Sequence, residues 1–435
     1  MSCSVELPDS WDLLMNKRLL KSVLPGNLPS LDRQAVSVQT LRDAALIVDD
    51  VRARGEVAVR EHAERLGDIR PGEPLVIGRD VMQSAFFGLS AGDREVLERA
   101  AQRIRVFAEA QRASISQLFV PVEGGYAGHD IRPMDRAGCY VPGGRYPLPS
   151  SALMTAVTAR AAGVESVWAA SPRPAPVTLA AAYIAGVDSL LAVGGAQAIG
   201  AMAYGAGSVL PCDVIVGPGN RWVTAAKRLV GGDVAIDMLA GPSELIVFAD
   251  DSADPAWVAA DMLAQAEHDP DAMPILVTTS DDLVERVDGE LLRQLEQLST
   301  AAVASRALDN GFCIVVRDVG EGAAICNRLA PEHLEIMFAC PEDVVPMLHN
   351  YGALFIGARS AEVFGDYGAG PNHVLPTGGT ARHTGGLSVF TFLRVRTWLR
   401  IDNPDLADQM ARDAVAMAGW EGLSGHAASA ACRLK

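Results

Sequence analysis

Residues 189–220 read SLLAVGGAQAIGAMAYGAGSVLPCDVIVGPGN, and the punctuation of this stretch decides the fold. No charge occurs from Ser189 to Cys212, which mimics a membrane span, but Gly194, Gly195, Gly200, Gly205 and Gly207 interrupt it and Gln197 lies inside. A span needs about 20 predominantly apolar residues, whereas an apolar run broken this way reads as a buried strand, a loop and a helix. The alternation extends on both sides: Ala152 to Ala162, Ser166 to Ala170, Val177 to Gly186, Leu190 to Val193, Ala196 to Tyr204, Asp213 to Val216 and Asn220 to Val230. Small-residue helices between short apolar runs are the βαβ signature of a parallel sheet.

Each strand of the series ends in a flexible loop: Ser171-Pro-Arg-Pro174, Gly194-Gly195-Ala196-Gln197 and Gly217-Pro218-Gly219-Asn220. Ligands of open α/β sheets bind outside the carboxyl ends of the strands, so these loops form the expected cofactor cradle. Their glycines admit a ligand to the backbone, and the helix N-termini that follow favour a pyrophosphate. No G-x-G-x-x-G with a downstream acid is present, so this is not the standard dinucleotide fingerprint. Tight turns alone also use glycine; two glycine-rich loops on consecutive strands weigh toward a ligand.

Outward from this region, the chain of 435 residues provides for two or three packed units. Hydrophobic residues make up 49% and charged ones 21%, an ordinary globular balance. A formal charge of −16 repels nucleic acid and anionic membranes, and no Lys/Arg-rich stretch reverses it, so neither is an expected partner. The seven cysteines are odd in number and include no C-x-x-C pair, which fits a reducing compartment. The N-terminus carries Glu6, Asp9 and Asp12 before Lys17, the wrong layout for a secretory signal, and the expected location is cytoplasmic. The first 135 residues are richer in charge and read as helical, as in Val36 to Arg54 and Arg94 to Arg112. A second α/β region runs from Ala235 to about Gly357, with strand-like runs at Leu245 to Phe248, Ile275 to Val277 and Ile314 to Val316; the last 50 residues read as helical with a break near Asn403-Pro404.

Asp254-Pro255 reads as an N-cap with proline at the first helical position, and Asp269-Pro270 closes a helix of about fourteen residues. Gln265 and His268 lie three apart and share one face, a polar edge on a helix otherwise built from Trp257, Val258, Met262, Leu263 and Ala266. A hydrogen-bonded histidine at a domain edge is the plain reading of that pair alone. Three further concentrations of titratable groups accompany it: Pro331-Glu332-His333, Gly365-Asp366 through His373, and Glu421 through His426. A neighbouring carboxylate and imidazole can serve as paired general bases. Histidine and carboxylate ligands at scattered positions suit Zn²⁺ or a similar ion, and a Gln carbonyl is a weaker ligand. Taken singly, Glu332 could be a solvated turn, Asp366 an Asx-turn and His426 a surface residue near a fraying end.

Together these motifs resemble the histidinol dehydrogenase family. The resemblance runs from about Ala137 to His426 and rests on Gly138-Cys-Tyr-Val-Pro-Gly-Gly144, Val193-Gly-Gly-Ala-Gln-Ala-Ile199, Gly217-Pro-Gly-Asn220, Ala240-Gly-Pro-Ser-Glu244, Gln265-Ala-Glu-His268, Pro331-Glu-His333, Gly370-Pro-Asn-His-Val-Leu-Pro-Thr377 and Glu421 to His426, in the family's order. It implies an α/β fold of two incomplete Rossmann-like parallel-sheet domains with an N-terminal helical arm and a C-terminal helical segment, in a domain-swapped homodimer. The expected division is an arm over 1–30, a first α/β domain over 31–137 plus 235–380, a second over 138–234 and a C-terminal segment over 381–435 that reaches the partner. One Zn²⁺ per subunit is implied on Gln265, His268, Asp366 and His426, with NAD contacted by Tyr140, Gln197 and Asn220. Substrate is implied on Ser243, Gln265, His268, His333, Asp366, Glu421 and His426, with His373 helping to position it. The implied activity oxidises L-histidinol to L-histidine through the aldehyde with two NAD⁺, His333 acting as general base and Glu332 activating the water. His383 to Val389, and Arg394, Arg396 and Trp398, depart from the family's usual residues, which leaves a relative oxidising another small alcohol, such as a sulfonated diol, as the alternative.

Overall fold

Runs such as ELIVFA over Glu244–Ala249 and MPILVT over Met273–Thr278 are buried at every position but Met273, and only a strand covered on both faces can be apolar throughout. Such runs organise the computed structural model, which describes residues 18–29, 36–143 and 146–434. Numbered along the chain, its strands are β1 (Lys21–Ser22), β2 (Val76–Gly78), β3 (Leu118–Val122), β4 (Gly125–Pro133), β5 (Arg136–Tyr140), β6 (Ser166–Ala170), β7 (Ser189–Leu191), β8 (Val214–Val216), β9 (Ala235–Ile236), β10 (Glu244–Ala249), β11 (Met273–Thr278), β12 (Phe312–Val315), β13 (His333–Met337), β14 (Ala353–Ile356) and β15 (Leu393–Ile401).

They form two six-stranded sheets, β2-β7-β6-β5-β8-β9 and β1-β12-β11-β10-β13-β14, and a three-stranded sheet, β15-β4-β3. Every pairing in the six-stranded sheets is parallel except β2 with β7. Counted from β5, the strands β7-β6-β5-β8-β9 take the order 3-2-1-4-5; counted from β10, so do β12-β11-β10-β13-β14. Each sheet is therefore most of a Rossmann sheet with its own reversal point, between β5 and β8 and between β10 and β13. The charge-free stretch after Ser189 is β7 followed by the helix Gly195–Tyr204, and no helix among the described residues is long and apolar enough to cross a membrane.

Three expectations about organisation are corrected. The helices between Val38 and Ala113 do not join the sheet of β10 to β14, as the 31–137 assignment had it. Val48, Val51, Met82, Ala101 and Ile104 share one core with Ala152, Val167, Ile199 and Val216. Their apolar faces follow helical spacing, and spacing alone does not say which sheet a helix covers. The N-terminal segment, within the described residues, holds no α-helix and only the 3-10 turn Pro25–Asn27: Leu20 is buried and β1 extends the sheet beside β12, while residues 1–17 lie outside the description. The C-terminal segment is not wholly helical either. LRVRTWLRI over β15 alternates in the strand period and pairs in register with β4, from Leu393 opposite Pro133 to Ile401 opposite Gly125; only Asp408–Trp420 and Ser424–Ala431 beyond it are helices.

Cys139, Cys212, Cys313 and Cys326 are buried, whereas Cys340 and Cys432 are exposed. Burial pushes the Cys139 and Cys212 thiols up to about 12, which removes the reactive thiolate at neutral pH. Titration of the folded protein with an aromatic disulfide is expected to label Cys340 and Cys432 promptly and the four buried thiols only after denaturation; prompt labelling of Cys139 or Cys212 contradicts this packing.

Candidate active site

The carboxyl end of β5 and the loop after β8 meet at the reversal point of the first sheet, and there the cradle residues gather. Tyr140 closes β5, is buried, and its hydroxyl accepts a hydrogen bond from Gly195 N–H at 3.1 Å. Gln197 is buried with its Oε1 unpartnered, and its Nε2 lies 3.4 Å from Asp68. Asn220 is exposed, and its Oδ1 accepts from Trp222 N–H and Val223 N–H at 3.0 and 3.3 Å, capping the helix Arg221–Val230.

These bonds occupy part of the helix N-termini expected to favour a pyrophosphate. Asp68 accepts from Gly194 N–H at 2.9 Å and Tyr140 from Gly195, while Asn220 occupies two first-turn donors of the other helix. Asp68 was not legible as a site residue, because it arrives from the end of the helix Glu56–Leu66 and nothing local marks it. Gly217 explains why the loop after β8 must hold glycine. Its φ is +113°, and a Cβ there would stand 2.2 Å from the Tyr140 carbonyl oxygen. A Gly217→Ala variant is expected to lose about 1–3 kcal/mol of stability through backbone strain and to bind dinucleotide more weakly. Melting temperature and a dinucleotide titration check both, and a native result in both contradicts the crowding.

The other group of residues lies at the amino ends of β10 and β13, opposite to where ligands of such sheets usually bind. The chain explains the inversion: only residues 237–243 connect β9 to β10, so the carboxyl end of the first sheet faces the amino end of the second. Glu332 and His333, at the start of β13, are both buried. Glu332 Oε2 accepts from Glu244 N–H at 3.0 Å, and the Ser243 side chain also hydrogen-bonds it. Burial holds the Glu332 carboxyl well above the ordinary carboxylate range. His333 Nδ1 lies 3.3 Å from the Glu244 carbonyl oxygen. A carbonyl only accepts, so Nδ1 carries the proton and Nε2 keeps the lone pair. Burial, opposed by Asp366, pulls the imidazole down to about 4, which keeps it neutral at physiological pH.

Nε2 of His333 lies 3.5 Å from Glu362 Oε1. His333, Glu362 and Asp366 offer ligand atoms within 4.8 Å of one another. Around Asp366, His268 Nε2 stands 3.6 Å from Oδ2 and His373 Nδ1 3.7 Å from Oδ1, and His373 also bonds the Asp366 carbonyl at 3.1 Å. The helix of Asp254–Pro255 ends at Ala266, so His268 sits in the turn beyond it rather than on its face. Gln265 is wholly buried with neither amide atom partnered, and His373 Nε2 is likewise orphaned. Each unsatisfied buried polar atom costs about 1–3 kcal/mol, and a cation with its bound ligand at this place removes that cost. The donor set of Gln carbonyl, imidazole and carboxylate fits a divalent metal.

Glu362 was missed by sequence reading. Its one signal is the spacing to Asp366, four residues on, along the short helix Glu362–Asp366. Glu421 and His426 are exposed on the C-terminal segment and form no part of the metal-capable cluster found among the described residues of this chain. The departures Arg394, Arg396 and Trp398 lie on β15, where Trp398 packs on Phe119 at 5.5 Å and Arg394 bonds Pro133 O at 2.7 Å.

Two Rossmann-like sheets, one ending in glycine loops and the other opening on a buried imidazole-carboxylate cluster, define an α/β oxidoreductase of the dinucleotide-dependent class. The family model described as histidinol dehydrogenase matches residues 31–434. The chain is 44% identical to histidinol dehydrogenase of Dechloromonas aromatica, over 89% of this chain and 91% of that one. It is also 44% identical to that of Methylococcus capsulatus, over 89% and 90%. The crystal structure of histidinol dehydrogenase from Elizabethkingia anophelis superposes with a TM-score of 0.88 at 30% identity, covering 96% of this chain and 98% of that one. The chain belongs to the histidinol dehydrogenase family.

Proposed function

We propose that the protein oxidises L-histidinol to L-histidine in two NAD⁺-dependent steps, as the last reactions of histidine biosynthesis. The observation that supports this reading most is the pairing of Glu332 with His333 at the amino end of β13, in a cluster where His333, Glu362 and Asp366 bring ligand atoms within 4.8 Å of one another. In the first step the carbinol loses its hydroxyl proton to His333 Nε2 and a hydride to the nicotinamide, giving aldehyde, NADH and a proton. In the second, water adds to the aldehyde, Glu332 takes the water's proton, and a second hydride leaves to NAD⁺, giving the carboxylate. Glu332 is placed for that role by its bonds to Glu244 N–H and the Ser243 side chain, and its carboxylate, once formed in the buried site, is a strong base.

Gln265, His268 and Asp366 would hold a Zn²⁺ ion, joined by His426 of the C-terminal segment. Zinc is redox-inert and supplies charge that fixes the imidazole and amine of the substrate. Ser243, His333 and Glu421 complete the substrate contacts, with His373 holding Asp366. Tyr140, Gln197 and Asn220 line the cofactor side; the Asn220 oxygen is committed to its helix, so its amide nitrogen is what faces NAD. Because His426 and Glu421 are exposed and form no part of the cluster found among the described residues of their own chain, we place them in the partner's site of a homodimer. The exposed Met417, Trp420 and Leu423 beside them suit a surface that a second copy covers.

Chromatography of a reaction containing L-histidinol, NAD⁺ and Zn²⁺ tests the reading. L-histidine is the expected product. Turnover only on another small alcohol, such as a sulfonated diol, overturns it in favour of a relative with the same cofactor loops.

A further inference from the structure

We propose that the buried Lys227–Asp237 ion pair is the device that sets the Gly217–Asn220 loop for the dinucleotide. The inference rests on the cofactor reading above and adds a positioning pair to it. Lys227 lies in the helix Arg221–Val230 and is buried; the Asp237 side chain, just past β9, is wholly buried. Lys227 Nζ donates to Asp237 Oδ1 and, at 3.0 Å, to the Gly217 carbonyl. Asp237 Oδ2 accepts from Gly217 N–H at 2.7 Å, and Oδ1 from Met238 N–H at 2.7 Å. Both backbone groups of Gly217 therefore end on one ion pair.

Stability alone does not call for this arrangement, since a buried ion pair repays its desolvation poorly and an apolar pair of similar volume serves as well or better. An ion pair differs from an apolar one in directed hydrogen bonds. Here those directions fall on the residue that touches the Tyr140 carbonyl on one side and leads to Asn220 on the other. Asn220 caps the helix, and seven residues later, about two turns, the same helix returns Lys227 to Gly217. Loop, cap, helix and ion pair close a ring that fixes Asn220 relative to Tyr140. Lys227 and Asp237 reach no ligand themselves; they act through the loop.

The test compares Lys227→Met, Asp237→Asn and the double variant Lys227→Met/Asp237→Leu with the unaltered enzyme. NAD⁺ and L-histidinol kinetics and NADH binding by fluorescence, without turnover, are the readouts. Loss of bonds to charged groups predicts an NAD⁺ KM and an NADH Kd raised on the order of tenfold. The L-histidinol KM and kcat at saturating NAD⁺ should stay within about twofold, because binding that does not strengthen in the transition state leaves kcat unchanged. The double variant, free of a lone buried charge, is expected to melt near the native temperature. A folded double variant with native NAD⁺ KM overturns the proposal. So does failure of all three variants to fold, which assigns the pair to stability alone. Asn220→Ala and Tyr140→Phe separate the layers: if they leave dinucleotide binding unchanged, the cofactor reading itself fails, whereas a response from them and none from the ion pair sinks only this inference.

Discussion

Replacing His333 with asparagine is expected to lower kcat by about 10²- to 10⁴-fold, the range that a positioned general base contributes. Asparagine reproduces one feature of the native ring, since its amide can donate to the Glu244 carbonyl where Nδ1 does now. It lacks the lone pair at Nε2 that faces Glu362 and the cluster around Asp366. The fold of β13 should survive, because Leu334 and Ile336 hold the strand in the core independently. A Glu332→Gln variant is expected to behave differently. It keeps an acceptor for Glu244 N–H but cannot take a proton from water, so the first hydride transfer should outlast the second. Stopped-flow measurement of the two NADH phases checks both variants, and equal loss of both phases in Glu332→Gln contradicts the division of labour.

The second large effect concerns the C-terminal segment. Asp366→Asn and His426→Ala should each abolish turnover and lower bound zinc when purified alone. Refolded together at equal amounts, they are expected to recover roughly a quarter of the native activity, because half the dimers are hybrids and each hybrid has one intact site. The intact site takes Asp366 from the His426→Ala chain and His426 from the Asp366→Asn chain. Zinc content should recover in step, a readout independent of turnover. No recovery of either quantity sinks the shared site and leaves His426 without a role in the metal set.

The parts of the fold that local pattern dictates were legible. Apolar runs bounded by turn residues marked β6 to β8 and the Rossmann-like alternation, and Asp254-Pro255 marked a helix start that the side chain of Asp254 caps at Ala256 N–H. Assignments that depend on which surface covers which were not. The helices from Val38 to Ala113 carry apolar stripes that fit either sheet, and β15 was lost because its exposed Arg394, Arg396 and Arg400 resemble a solvated helix face. Glu332 and His333 lie at the amino end of β13 because that strand begins at His333. Spacing joined Gln265 to His268, yet the helix stops before His268, and the approach of His268 to Asp366 comes from the turn rather than the helix face. Asp68 gave no sign and Glu362 only its spacing to Asp366, since the contacts that matter are with residues distant in sequence: His333 is 29 residues from Glu362 and Gly194 is 126 from Asp68. The cofactor loops were found by their glycines, but the amides of Gly194, Gly195 and Gly217 are bonded to side chains of this chain.

The central claim is that one site performs both oxidations. Its most direct test is the stoichiometry of NADH released per L-histidinol consumed, with purified protein, Zn²⁺ and excess NAD⁺ followed to completion. Two NADH per L-histidinol is the predicted result. One NADH with accumulated aldehyde, or none, contradicts it.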